Sequence, residues 1–166
     1  MNIEITIIGA ILVALCAMPF VYFDMSRKNK EKKVVQALKD FASQHQSTIT
    51  SHEVSGELII GLDDTTKTLF MSKHFEGQVT NKVLQLSDVT GCAVEKHYKS
   101  YGNQQVIDQL GIRFITKKRN ASEVYWELFN SNETYQLSGE LQLAEAWVGK
   151  IKSQLQPQKQ AHKEAV

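Results

Sequence analysis

Leu58-Ile59-Ile60-Gly61-Leu62-Asp63-Asp64-Thr65-Thr66-Lys67-Thr68-Leu69-Phe70-Met71-Ser72 decides how this chain folds. Leu58, Ile60 and Leu62 alternate with their neighbours, and so do Leu69 and Met71, which is the period of a strand rather than a helix. Between the two runs, Asp63-Asp64-Thr65-Thr66 clusters short polar side chains that bond their own backbone in turns. The stretch reads as a β-hairpin. It also marks the place, at about Ser51, where a helical period gives way to a period of two.

Downstream the same alternation repeats. A third strand is expected over roughly Gln78 to Leu86, closed by the break Ser87-Asp88. A fourth runs from Val89 to Tyr98, with Cys92, Val94 and Tyr98 on one face. The polar stretch Lys99 to Gln109 reads as a loop or a short helical turn. Ile112, Phe114 and Thr116 give a fifth strand, and Lys117-Lys118-Arg119-Asn120 a charged turn. Val124, Trp126 and Leu128 give a sixth, facing opposite to Tyr125 and Phe129. Strands this close in sequence imply an antiparallel meander. The chain then ends in a helix: Ser138 suits an N-cap, Glu140 the first turn, and Lys150 and Lys152 the last. Leu141, Ala144, Trp147, Val148, Ile151 and Leu155 form its apolar stripe. Pro157 is expected to stop it, leaving residues 156–166 as a disordered polar tail.

Upstream, Val34, Val35, Leu38, Phe41 and Ala42 make one helical stripe between Lys30 and His45, within a basic flank and linker helix over residues 26–50. With Asp40, Gln44 and Gln46 on its polar side, it is expected to dock on the domain or on a copy of itself rather than lie in a membrane surface. Before it, Ile3 to Phe23 is a single apolar run, long enough as a helix to cross a hydrocarbon core of about 30 Å. Arg27, Lys28, Lys30, Lys32 and Lys33 follow it. Charge after the apolar core and the bulky exit Phe20-Val21-Tyr22-Phe23 argue against a cleaved signal peptide, and Leu15 before Cys16 breaks a lipoprotein signal. Residues 1–25 are therefore expected to be a retained transmembrane anchor. The cations stay inside, which places the N-terminus outside and residues 51–155 on the cytoplasmic face of the inner membrane. The bilayer is the first expected partner, through residues 3–23.

Five of the 19 Lys and Arg and three of the 18 Asp and Glu precede residue 34, leaving 14 against 15 in the rest. A domain so nearly neutral is not built to hold nucleic acid. Cys92 has no plausible disulfide partner, in keeping with a reducing compartment.

The order of elements resembles the pleckstrin-homology-like superfold, over about Glu53 to Leu155. The residues that carry the resemblance are Leu58-Ile59-Ile60-Gly61-Leu62-Asp63, Val83-Leu84-Gln85-Leu86, Val124-Tyr125-Trp126-Glu127-Leu128-Phe129 and Glu145-Ala146-Trp147-Val148-Gly149-Lys150-Ile151. The resemblance implies an α+β fold in which six to seven antiparallel strands make a partly open barrel, closed by the C-terminal amphipathic helix with Trp147 in its mouth. Phosphoinositide binding does not follow. The first hairpin offers Asp63, Asp64 and one lysine, Lys67, where convergent cations are needed.

No chemistry-bearing constellation emerges. His45, His52, His74, His97 and His162 never pair at metal spacing, and Cys92 belongs to no CxxC. GxGxxG, GxxxxGK[ST] and GxSxG are all missing. Asn120-Ala121-Ser122 and Asn132-Glu133-Thr134 match the glycosylation sequon but read as turns. Lys96, His97 and Lys99 form a basic patch with Lys117, Lys118 and Arg119 if neighbouring strands end together. Ala10, Ala14 and Ala17 give the anchor a face for helix pairing. No catalytic, cofactor-binding or metal residue is assigned and no cofactor is expected. The expected function is a membrane-tethered, non-catalytic binding or scaffolding module for a protein partner met at a strand edge or an apolar groove, with a homodimer through the anchor or linker helix as a further possibility. The alternative is a small accessory subunit of a membrane complex, held by its transmembrane helix. An enzyme is suggested only by the polar loop Tyr98 to Gln109, which could cover a pocket.

Overall fold

The computed structural model describes residues 31–117, 123–134 and 136–164; of Tyr101 and residues 156–164 it describes the backbone only. The helix over residues 31–44, α1, precedes four strands: β1 (Ser51–Ser55), β2 (Leu58–Asp63), β3 (Thr68–Phe75) and β4 (Gln78–Gln85). A 3-10 turn, Leu86–Asp88, leads into β5 (Val89–Tyr101), β6 (Gln104–Thr116) and β7 (Glu123–Asn130), and the chain continues into α2 (Glu140–Glu164). β1 to β4 form one antiparallel sheet and β5 to β7 another, each in sequence order.

The main core lies between the sheets. Leu58, Ile60, Leu62, Leu69 and Met71 face Ile112, Phe114, Trp126 and Leu128, and α2 adds Leu143, Ala144, Trp147, Val148, Ile151 and Leu155. A second core lies on the opposite face of the first sheet, where Val34, Leu38 and Ala42 of α1 cover Ile59 and Phe70. β2 is consequently buried along its whole length, and its unbroken apolar run Leu58-Ile59-Ile60 suits a strand covered on both sides. α1 is closed by the turn after it, where Gln46 takes a left-handed φ of 55°. The Ser47 and Gln46 N–H groups return to the Ala42 and Ser43 carbonyls, both at 3.0 Å, satisfying the carbonyls that a helix end leaves open.

Several expectations need correction. The single partly open barrel is replaced by two separate sheets of four and three strands, and among the described residues no ladder joins them. The 3-10 turn at Leu86–Asp88 carries the chain from one to the other, pinned by Leu86 N–H on the Lys67 carbonyl and Lys117 N–H on the Asp88 carbonyl. Among the described residues no helix is long and apolar enough to cross a membrane. α1 sets Lys32, Lys33, Gln36, Lys39 and Asp40 against its buried stripe, and α2 is similarly two-sided. The transmembrane, single-pass inner-membrane reading is withdrawn on that finding. Its expected anchor (residues 1–25, with the apolar run 3–23 and the Ala10, Ala14, Ala17 face) lies outside the described residues, as does the accessory-subunit reading built on it.

Local corrections follow from packing. The stretch 99–109, expected as a loop, is the end of β5 and the start of β6, a hairpin that runs past the core and leaves Tyr98 56% exposed. A bulge at Leu128, between the pairs Leu110 with Phe129 and Gly111 with Glu127, turns Phe129 inward, so it is buried along with Trp126. α2 starts at Glu140 after Gly139; Ser138 gives its backbone N–H to the Glu140 carboxylate instead of capping with its hydroxyl. Leu143 rather than Leu141 faces the core. α2 continues through Pro157 to Glu164: a helix interior can absorb one proline for about 3 kcal/mol when good helix formers flank it. Lys150 and Lys152 are thus mid-helix, and Lys150 bonds the Ser51 hydroxyl at 2.5 Å.

Candidate functional site

The polar groups that looked chemically promising are spent on structure. Asp63 is buried, and its carboxylate accepts the N–H groups of Thr48 (2.8 Å), Thr65 (2.8 Å) and Thr66 (3.1 Å), tying the α1–β1 connection to the β2–β3 turn. Burial pushes its pKa up, but the three backbone donors outweigh burial and hold the carboxyl below its ordinary value. Asp64 accepts the Thr50 hydroxyl at 2.7 Å. Lys73 is clasped by Glu127 at 3.3 Å and Glu133 at 2.5 Å, which fastens β3 to β7. His74 bonds Ser72, His97 meets Glu95, and His45 packs against Phe41. Among the described residues no three His, Cys, Asp or Glu side chains could hold a metal ion.

The expected basic patch does not assemble. Lys117 lies at the Val89 end of β5, while Lys96, His97 and Lys99 lie at least seven residues further along, roughly 25 Å away. Lys117 bonds the Ser87 carbonyl at 2.7 Å and Lys96 pairs with Glu145, whereas Lys118 and Arg119 lie outside the described residues.

A cavity of about 340 Å³ opens between β5, β6 and α2, walled by Thr90, Cys92, Arg113, Ile115, Lys152 and Leu155. Burial pushes the Cys92 thiol above its ordinary pKa, with Lys152 opposing, and no histidine lines the cavity. An uncharged thiol without a base is a poor nucleophile. Arg113 is already engaged by Glu95 and Glu123.

Among the described residues, the fold leaves one sheet edge unused. β4 is the last strand of its sheet, and only Lys82 and Leu84 are partly buried in it. The direction of its backbone groups follows from two bonds. Leu86 N–H bonds the Lys67 carbonyl, so the even-numbered residues of β4 point at β3, and His74 N–H bonding the Glu57 carbonyl gives the same parity across β3. Val79, Asn81, Val83 and Gln85 therefore present their N–H and C=O groups outward. Val79 and Val83 also leave their side chains 51% and 40% exposed.

Edges are usually guarded by charge, proline, shortness or a covering element. Here β1 has five residues, α2 lies along β5, and β7 carries Glu123 and Glu127. β4 has eight residues and one charge, Lys82, whose ammonium is drawn inward to the Tyr125 carbonyl at 3.1 Å. Burial lowers the pKa of Lys82, Lys73 adds to this and Glu127 opposes it. The Tyr125 phenol is pushed up to about 12 by burial and by Glu127 and Glu95. The sequence shows β4 as a strand, but nothing in it identifies a free edge, since that depends on where the other strands go.

Set against known proteins, the chain matches no family model, no curated protein and no solved structure.

Proposed function

We propose that this chain is a non-catalytic protein-binding module that takes an extended segment of its partner as an added strand on β4. The observation that carries the reading is the outward row of backbone groups at Val79, Asn81, Val83 and Gln85, flanked by two exposed valines and lacking an outward charge. Strand addition draws affinity from main-chain bonds and specificity from alternate side chains, and β4 offers both. The near neutrality of the domain favours a polypeptide over nucleic acid.

Selection from a random peptide display library on the immobilised full chain tests this. Recovered peptides should alternate apolar and polar residues and lose binding to Asn81→Pro, a change that removes an outward N–H and leaves the β3 ladder whole. Peptides that bind Asn81→Pro as well as the parent would refute the reading.

A further inference from the structure

We infer that the occupant of β4 is a second copy of this chain, its own β4 paired antiparallel with Asn81 of both copies on the two-fold axis. The inference rests on the reading of β4 as a binding edge and names its partner.

A two-fold pairing must keep side chains of one face together, so the axis falls on a residue of the strand. With the axis at Lys82, two ammonium stems oppose each other directly, which is unfavourable. With the axis at Thr80, Val83 falls opposite Gly77, in the β3–β4 turn, and the overlap shrinks. With the axis at Asn81 the segment Gln78 to Leu84 is matched throughout. Val79 then faces Val83 of the second copy, Asn81 faces Asn81, and Lys82 faces Thr80. The exposed valines are equidistant from Asn81, which makes the strand self-complementary about that residue. The backbone agrees, because Val79, Asn81 and Val83 are the residues whose N–H and C=O groups point outward. Each becomes a hydrogen-bonded pair across the axis, about six bonds in all.

The paired valines extend an apolar surface already present. Val83 lies directly across from Phe70 in the β3–β4 ladder, and Phe70 is buried beneath α1. The stripe of α1 that a copy of the helix would need is occupied, since Val34, Leu38 and Ala42 are buried in the same cluster. A strand pair of this length buries roughly 400–500 Å² per copy, against roughly 800 Å² for a standard interface. The dimer is accordingly weak and dissociates on dilution, leaving an eight-stranded sheet when formed.

Sedimentation velocity on the full chain over a range of concentrations tests the pairing and its register. The parent is expected to interconvert between monomer and dimer. Val83→Glu, on an exposed side chain, is expected to weaken association by about tenfold or more, and Val79→Lys combined with Val83→Glu to restore it, because residue 79 faces 83 only in the Asn81 register. A parent that stays monomeric, a dimer indifferent to Val83→Glu, or a double variant as weak as the single one would each overturn the inference. A monomeric parent that still binds library peptides in an Asn81→Pro-sensitive way removes only the second copy. Loss of both removes the β4 reading too.

Discussion

Gly61 and Gly111 are glycines because neighbours occupy the space a side chain would need. A Cβ on Gly61 would lie 2.8 Å from Leu38 Cδ2, whereas one on Gly111 would lie 2.4 Å from the Trp126 carbonyl and 2.5 Å from the Tyr125 ring. The end of a leucine can shift; a backbone carbonyl in a ladder cannot. Gly61→Ala is thus expected to cost about 1–2 kcal/mol in urea denaturation, and Gly111→Ala about 3 kcal/mol or more. Combining Gly61→Ala with Leu38→Ala should cost less than the sum of the two, since the new methyl enters the vacated space; strict additivity would show that the two sites do not touch. Asp63 sets an acid limit. Its folded pKa is depressed, so its contribution is complete above the unfolded value of about 3.8 and is lost as pH falls through the lower folded value. Asp63→Asn should lower the unfolding free energy at neutral pH by about 1–3 kcal/mol and flatten the decline in acid. An unchanged acid profile in that variant would count against the three-donor geometry.

Among the elements, α1 has a separable role. It covers only the outer face of β2 and β3, through Val34, Leu38 and Ala42, while the core between the sheets is closed by α2. Leu38→Ala is expected to cost about 2–4 kcal/mol. Hydrogen exchange should show the loss concentrated in residues 31–44 and the outer face of β2, with β6 still protected; a uniform loss over both sheets would contradict this division. Sequence periodicity showed that α1 is amphipathic and β2 apolar. It could not show that Ile59, on the face the alternation left for solvent, is buried, because its cover comes from a helix some twenty residues away. The stretch 99–109 misled in the opposite direction. Its polar residues suit a loop, yet cross-strand bonds make it a hairpin, and no local residue pattern reports those bonds.

For the molecule as a whole, Cys92 sits where the main core meets the cavity beside α2, its Sγ resting against the Val148 carbonyl at 3.8 Å. The cavity between β5, β6 and α2 is its route to solvent, and only 5% of the residue is exposed there. Alkylation in native buffer, followed on the Cys92 peptide by mass spectrometry, should be slow and should rise with urea; rapid labelling independent of denaturant would mean that the cavity admits the reagent to the folded protein. Charge assembly is another whole-molecule matter. Lys96, His97 and Lys99 looked ready to join Lys117, but the pairing of β5 with β6 leaves them at least seven residues along the ladder from the Val89 end, where Lys117 lies. By itself the sequence determined local periods, turns and the near-neutral balance, since these depend on residues within a few positions of one another. Only the tertiary structure decided that the strands form two sheets, that β2 is covered on both faces, and that β4 has an edge that no described residue covers. Burial and edge formation are set by which distant segments arrive alongside, and no residue carries that information alone.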